Sequence, residues 1–376
     1  MKNLRMKLHK FRQRGVIFLA LVMVLVIAGS AFTLGALNNR QTTELARERE
    51  VQYQMEQAKA ALLAYAANHA ELWSNARGPG FFPCPDTDDP DADPDGTPNY
   101  TGTLSLQECI ASDFPLIGRL PQMEEIGTTT FRFNDAYADV DRQFWYVVSP
   151  RYLYSSTSSN RRAYKRVYVD DDTAFSYASD YWLTLDDDDN PQYVALIIAP
   201  GEELDTQDRS TGQTDYSNYL DGQNGGAGFN FYTSYSANPE LFNDKILGIT
   251  FEGWMEYVLP KVAREVKVRL DSYYEQSALI PKRYPPDSGD PTATSCSGTT
   301  FSNMFDGDSY GSTAVWLRDN STGNNGERWS CLYSMHWNRG GSPYTTGDLK
   351  FYGCPGLTFT MEYGEEPVRA GEDCYD

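Results

Sequence analysis

Histidine is almost absent from the chain: three residues in 376, His9, His69 and His336. That leaves little of the side chain most often used as a general base. Basic residues are outnumbered, 32 Lys and Arg against 52 Asp and Glu for a net charge of -20. Such a balance argues against sequence-independent binding of nucleic acid through its phosphates. The six cysteines include no CxxC pair, so the spacing usual in structural zinc sites is missing. No phosphate-cradling glycine loop or dinucleotide fingerprint occurs. Long apolar runs are also lacking, with one exception: Val16 to Leu37 is 22 residues without a charge. At about 1.5 Å per residue it is long enough to cross a roughly 30 Å hydrocarbon layer.

What is present is unevenly placed. Residues 1–14 hold six basic groups (Lys2, Arg5, Lys7, Lys10, Arg12, Arg14) and no acid, so -20 less these six charges leaves -26 on the remainder. A basic flank on one side of the apolar run predicts a cytoplasmic N-terminus, with residues 38–376 outside. Cys84, Cys109, Cys296, Cys331, Cys354 and Cys374 all follow the run. Their number and position fit an oxidising compartment and three disulfides, in any of 15 pairings, with pairing between sequence neighbours favoured.

Between Asn38 and Asn75 there is neither Gly nor Pro, and helix formers dominate. Val51, Met55, Ala58, Leu62, Tyr65 and His69 recur in steps of four and three, one apolar stripe on a polar surface. Read through, this predicts one helix from Val16 to about Trp73, about 58 residues and roughly 85 Å long, ending before Arg77-Gly78-Pro79-Gly80. A basic leader, then Arg14-Gly15 directly before an apolar helix that continues as an amphipathic spine, resembles the layout of type IV pilins and the pseudopilins of type II secretion. The resemblance implies cleavage by a prepilin peptidase after Gly15 and methylation of the new N-terminal Val16. It also implies that the retained helix is the assembly element, contacting other pilins or pseudopilins. Major pilins carry Glu at the fifth mature position, where this chain has Ala20. Such a Glu neutralises a neighbouring subunit's ammonium inside an apolar bundle, where an unpaired charge is costly. Ala20 therefore points to a minor, initiating or tip subunit.

Further residues carry the resemblance. Ala61 to Ala66 (ALLAYA), Gly80 to Asp86 (GFFPCPD), Gly118 to Pro121 (GRLP) and Phe144 to Pro150 (FWYVVSP) are similar to motifs of a group of large prepilin-like proteins. Ala195 to Gly201 and Asn243 to Thr250 look like later parts of the same pattern, so the resemblance spans residues 9 to about 285. The expected fold class is α+β: a long N-terminal pilin-like helix packed on antiparallel sheet, a second helix-plus-sheet module and a disulfide-stapled C-terminal β unit. The segments expected are a leader at 1–15 and a spine helix at 16–75 with its transmembrane part at 16–37. A β-rich periplasmic domain at 76–250, a second amphipathic helix at 251–285 and a Cys-rich β domain at 286–376 follow. Strands are expected at Gln143 to Ser149, Arg166 to Val169, Tyr193 to Ala199 and Phe229 to Tyr235, and in the last part at Thr313 to Leu317, Arg328 to Trp337, Leu349 to Tyr352 and Leu357 to Tyr363, with Asp186 to Asp189 and Asp221 to Gly228 as unpacked turns. In the second helix Val258, Val262, Val266, Leu270 and Tyr273 form a stripe. Its alignment with the first, at an offset of 208, is either a weak internal repeat or chance.

Candidate chemistry is sparse. Asp86 to Gly96 (DTDDPDADPDG) places six carboxylates in ten residues. It reads either as a Ca2+ loop with Asp86, Asp88, Asp91, Asp93 and Asp95 as ligands, or as a solvated, self-repelling loop. Asp306-Gly307-Asp308 is a weaker candidate of the same kind. Gly307 to Gly311 (GDSYG) matches the nucleophile elbow around Ser309, with Asp319 and His336 in the right order, but the strand and helix it needs are not indicated. A Gly-rich turn is the better account. The 26 Tyr and 7 Trp fit ordinary sheet-building better than a recognition surface. The expectation is thus a non-enzymatic minor pilin or pseudopilin, single-pass in the bacterial inner membrane with its C-terminal part periplasmic, assembled into a type IV pilus or pseudopilus. The alternative is a signal-anchored periplasmic or surface binding protein or adhesin.

Overall fold

The structure is a computed structural model that describes residues 43–69, 79–87, 97–99, 109, 114–126, 129–133, 143–153, 182–233, 242–276, 282–287 and 335–374, apart from 44, 187, 206, 210–214, 227, 352, 353, 372 and 373. The chain divides into two units, Met1–Gln54 and Met55–Asp376. In the first, the described residues are helical, and from 43 to 50 they are exposed.

In the second unit the first helix, α1 (45–69 including its earlier turns), buries Met55, Ala58, Leu62, Tyr65 and His69. Tyr65 packs edge-on against Phe131 and Phe133. Near the last described residue of α1 the Gly80 N–H donates to the Ala66 carbonyl at 2.6 Å, satisfying one of the carbonyls that a helix leaves over towards its C-terminal end. Gly80 takes φ +105° there, and a Cβ would lie 2.5 Å from the Trp254 ring. Only glycine combines that backbone with that approach.

The main sheet contains β1 (Leu116–Arg119), β4 (Trp145–Val148), β5 (Leu183–Leu185), β6 (Asp188–Ala199), β7 (Asn230–Phe231) and β8 (Lys245–Thr250), with β2 (Met123–Ile126) and β3 (Thr129–Arg132) forming a separate hairpin. Its order is β1-β4-β6-β5-β7, with β8 also on β6; all pairs are antiparallel except β5 with β7. β4 (WYVV) is buried on both faces, as its unbroken apolar run requires. One core gathers Trp145, Val147, Leu183, Leu196, Ile198, Tyr219, Leu220 and Phe231. The second helix, α2 (Phe251–Gln276), buries Trp254, Val258, Val262, Val266 and Leu270, each contributing about 1.5–3 kcal/mol for an aliphatic side chain. It packs on β6 and β8 and also on β11 of the C-terminal sheet. That sheet runs β12 (Val368–Ala370), β11 (Cys354–Glu362), β10 (Thr346–Phe351), β9 (Met335–Arg339), antiparallel throughout. It buries Trp337, Leu349, Phe351 and Phe359 and is stapled by Cys354–Cys374.

Two expectations are corrected. The fold is not an α+β body organised on a pilin-like helix from 16 to about 75 packed on antiparallel sheet. Among the described residues there are two helices, 45–69 and Phe251–Gln276, and the rest of the regular structure is mostly strand. The helical periodicity is real over 45–69, while Val-, Ile-, Tyr- and Trp-rich segments elsewhere favour pleated surfaces. Placement as a single-pass inner-membrane protein is overturned by the helices themselves. Among the described residues no helix is long and apolar enough to cross a membrane: α2 carries charged side chains along its length, and α1 carries Arg47, Glu48, Arg49, Glu50, Glu56 and Lys59. Residues 16–37 lie outside the described residues, as do Arg166 to Val169 and Thr313 to Leu317.

Candidate functional site

Three of the motif segments meet around Arg119. In β1 its Cα pairs with Trp145 of β4, and cross-strand neighbours on one face touch. The fully buried Arg119 guanidinium lies 4.1 Å from the centroids of both the Trp145 and Tyr219 rings. Its Nη1 donates to the Gln143 carbonyl at 3.0 Å. On the other edge of β1 the Asp86 and Arg119 backbones exchange hydrogen bonds, Asp86 N–H to Arg119 O at 3.0 Å and Arg119 N–H to Asp86 O at 2.7 Å. Gly118 permits this, because a Cβ there would stand 2.5 Å from the Asp86 carbonyl. Cys84, two residues away, is bonded to Cys109. Desolvated cation-π contact suits a guanidinium held in this way.

A second cluster joins the loop after β6 to the start of β8 and buries Arg209, Asp221, Asn224 and Asp244. Asp221 Oδ2 accepts from the backbone N–H groups of Asn243 (2.6 Å) and Asp244 (3.0 Å). Asp244 Oδ2 in turn accepts from the Asp221 N–H (2.8 Å) and from Asn224 Nδ2 (3.1 Å). Each carboxylate therefore holds the other's backbone. Gln207 Nε2 donates to Asp221 Oδ1 at 2.8 Å. Arg209 stands beside them with Nη1 on the Gly201 carbonyl and Nη2 on Gln207 Oε1 and the Tyr219 carbonyl. Burial, followed by repulsion from Asp221, pushes the Asp244 carboxyl up to about 7, against which its hydrogen bonds and Arg209 work. Burial also raises Asp221.

No family model, curated protein or solved structure matches the chain. Of the sequence-derived site residues, Gly15, Val16 and Ala20 lie outside the described residues, as do Asp88, Asp91, Asp93 and Asp95. Asp86 is described, and it is 1% exposed and paired to β1 rather than part of an open loop. Among the described residues no group of three or more His, Cys, Asp and Glu converges on a common point. Cys84–Cys109 and Cys354–Cys374 are bonded as sequence neighbours; Cys296 and Cys331 lie outside the described residues. So do Asp306, Asp308, Ser309 and Asp319. His336 sits on β9 with Nε2 2.8 Å from Asn338 Oδ1.

Sequence reasoning missed Arg209, Asp221, Asn224 and Asp244. Asp221 to Gly228 reads as turn material too polar to pack, and that is corrected: Asp221 is 1% and Asn224 0% exposed. Asn224 is tolerated inside because its side chain exchanges hydrogen bonds with the Tyr232 backbone, N–H to Oδ1 at 2.8 Å and Nδ2 to carbonyl at 3.0 Å. The available signal was a pair of aspartates flanking the same strand segment, which is common in loops and points to nothing by itself.

Proposed function

We propose that the protein is a non-enzymatic subunit of the pilin-like class, cut after Gly15 and incorporated through the segment that begins at Val16, at an initiating or tip position. The observation that carries this reading is the convergence around Arg119. The GFFPCPD, GRLP and FWYVVSP segments are those through which the chain resembles prepilin-like proteins, and they are mutually packed through Asp86, Arg119 and Trp145. Motifs matched by chance have no reason to meet. Two disulfides are compatible with a body that folds outside the cytoplasm. Ala20 in place of Glu supports a position where no earlier subunit's ammonium needs a partner.

The test is the intact mass of the N-terminus in cells with and without a prepilin peptidase. A peptidase-dependent chain that begins at methylated Val16 is expected. An uncleaved Met1, or cleavage beyond Ala31, would overturn the reading and favour a periplasmic or surface binding protein.

A further inference from the structure

We propose that Asp221 and Asp244 form a proton-operated latch. It closes residues 215–225 onto the start of β8 when the pair carries one proton, and loosens them when both are ionised. The geometry is reciprocal. Asp221 accepts from the backbone of 243 and 244 while Asp244 accepts from the backbone of 221, so each segment is held through a carboxylate of the other; Asn243 Nδ2 also donates to the Glu202 carbonyl at 2.8 Å. Both side chains are at least nine-tenths buried, at 1% and 5% exposure. Asp244 Oδ2 takes two hydrogen bonds, whereas its buried Oδ1 accepts none among the described residues, leaving Oδ1 as the oxygen for the proton.

The charged groups around the latch do not neutralise it. From the loop after β6, Arg209 directs Nη1 and Nη2 to carbonyl and amide oxygens, and Glu203 Oε1 is engaged by the Arg209 N–H at 3.2 Å. From the turn before Asp221, Asp215 accepts from Ser217. On β8 the next residue is Lys245. Two anions brought this close in a site poor in water repel, and one takes a proton from solvent near neutrality. As pH rises from the ordinary carboxylate range towards neutrality, the open segment sheds its proton more readily than the closed pair, and the contact weakens. On the reading of the chain as a filament or surface subunit, it would thereby stiffen in acid and loosen towards neutral pH.

The experiment is amide hydrogen exchange of the full chain between pH 5 and pH 8.5, each pH compared with the Asp244→Asn variant at the same pH. The variant keeps an acceptor for the Asp221 N–H and cannot ionise. Expected is a wild-type to variant ratio of exchange rates in 216–225 and 243–245 that rises from pH 5 by up to about tenfold per unit and levels off above about pH 7. A flat ratio across the range would overturn the latch. Should Asp244→Asn fail to fold, the carbon resonance of the Asp244 carboxyl provides a second reading. A midpoint near 7 that falls in Asp221→Asn supports the latch, and a midpoint below 5 sinks it.

Discussion

Two buried arginines stand near the same ring, Tyr219, and are held in opposite ways. Arg119 is clasped by aromatic faces at 4.1 Å and lies in regular strand. Arg209 lies 5.2 Å from the Tyr219 centroid, sits in a loop and is held by carbonyl and amide oxygens beside two aspartates. The first arrangement joins the guanidinium to two rings and a backbone carbonyl. The second is tied to protons, because its neighbours are carboxylates whose burial disfavours their charge. The same residue type thus builds a permanent core in one place and a conditional contact in the other.

The sharpest way to break the comparison is Arg119→Ala, which removes the guanidinium between two rings and leaves a cavity. A loss of ~4 kcal/mol is expected in chemical denaturation, near the top of the usual range. Arg119→Lys would recover only part of it, since an ammonium does not stack in the same way. Next comes the staple beside that core. Replacing Cys84 and Cys109 together by Ser opens a loop of sequence separation 25 and is expected to cost ~3 kcal/mol, visible as a lower Tm that reducing agent no longer shifts at this bond. Gly80→Ala follows, at ~2–3 kcal/mol, because φ +105° is strained for alanine and its methyl meets the Trp254 ring. A fully native Tm in that variant would mean that the close approach of 80 to α2 is wrong.

Arg209→Ala is expected to be milder, ~2 kcal/mol, since the loop retains the Asp221–Asp244 contact. Its distinguishing readout is electrostatic. Arg209 lowers the Asp244 carboxyl, so removing it moves the midpoint of Asp244 above about 7, whereas Arg119→Ala leaves that midpoint in place. The smallest effect is the pH dependence of the wild type. The folded Asp244 carboxyl is raised from 3.8 to about 7, so between these values the folded state binds more protons than the unfolded chain. Stability therefore falls as pH rises through that window, by ~1 kcal/mol from pH 5 to pH 7 once coupling to Asp221 is discounted, and this contribution levels off above. Asp244→Asn is expected to flatten the curve in urea titrations across this range.

The sequence was most legible where a pattern follows one periodicity. In the α2 stripe Val258, Val262, Val266 and Leu270 are buried and Tyr273, at its end, is half-buried, because a helix face follows from spacing. β4 and the later half of β6 lie inside the strands expected from their β-branched and aromatic residues. The C-terminal strands Thr346–Phe351 and Cys354–Glu362 cover those expected at Leu349 to Tyr352 and Leu357 to Tyr363, with offsets at their ends. The short strands β1, β2, β3 and β5 were not legible. They are three or four residues long and owe their form to partners that composition does not reveal. The turn at Asp186 to Asp189 was half right: Asp186 takes φ 57°, while β6 already begins at Asp188. Of the helix expected from 16 to 75, the described residues show helix at 45–69; favourable residues say where a helix can run, whereas contacts such as the Gly80 N–H on the Ala66 carbonyl are set by the fold.

By itself the sequence determined the amphipathic faces, the supply of cysteines for neighbour disulfides and the scarcity of histidine, all properties of residue type and spacing. Only the tertiary structure decided which polar residues go inside. Arg119 is buried because two rings and a carbonyl from distant segments meet it, and Asp221, Asn224 and Asp244 because backbone N–H groups and carbonyls across the loop satisfy them. Burial of a polar group depends on partners that lie far away in the chain, and the distance of those partners is set by the fold.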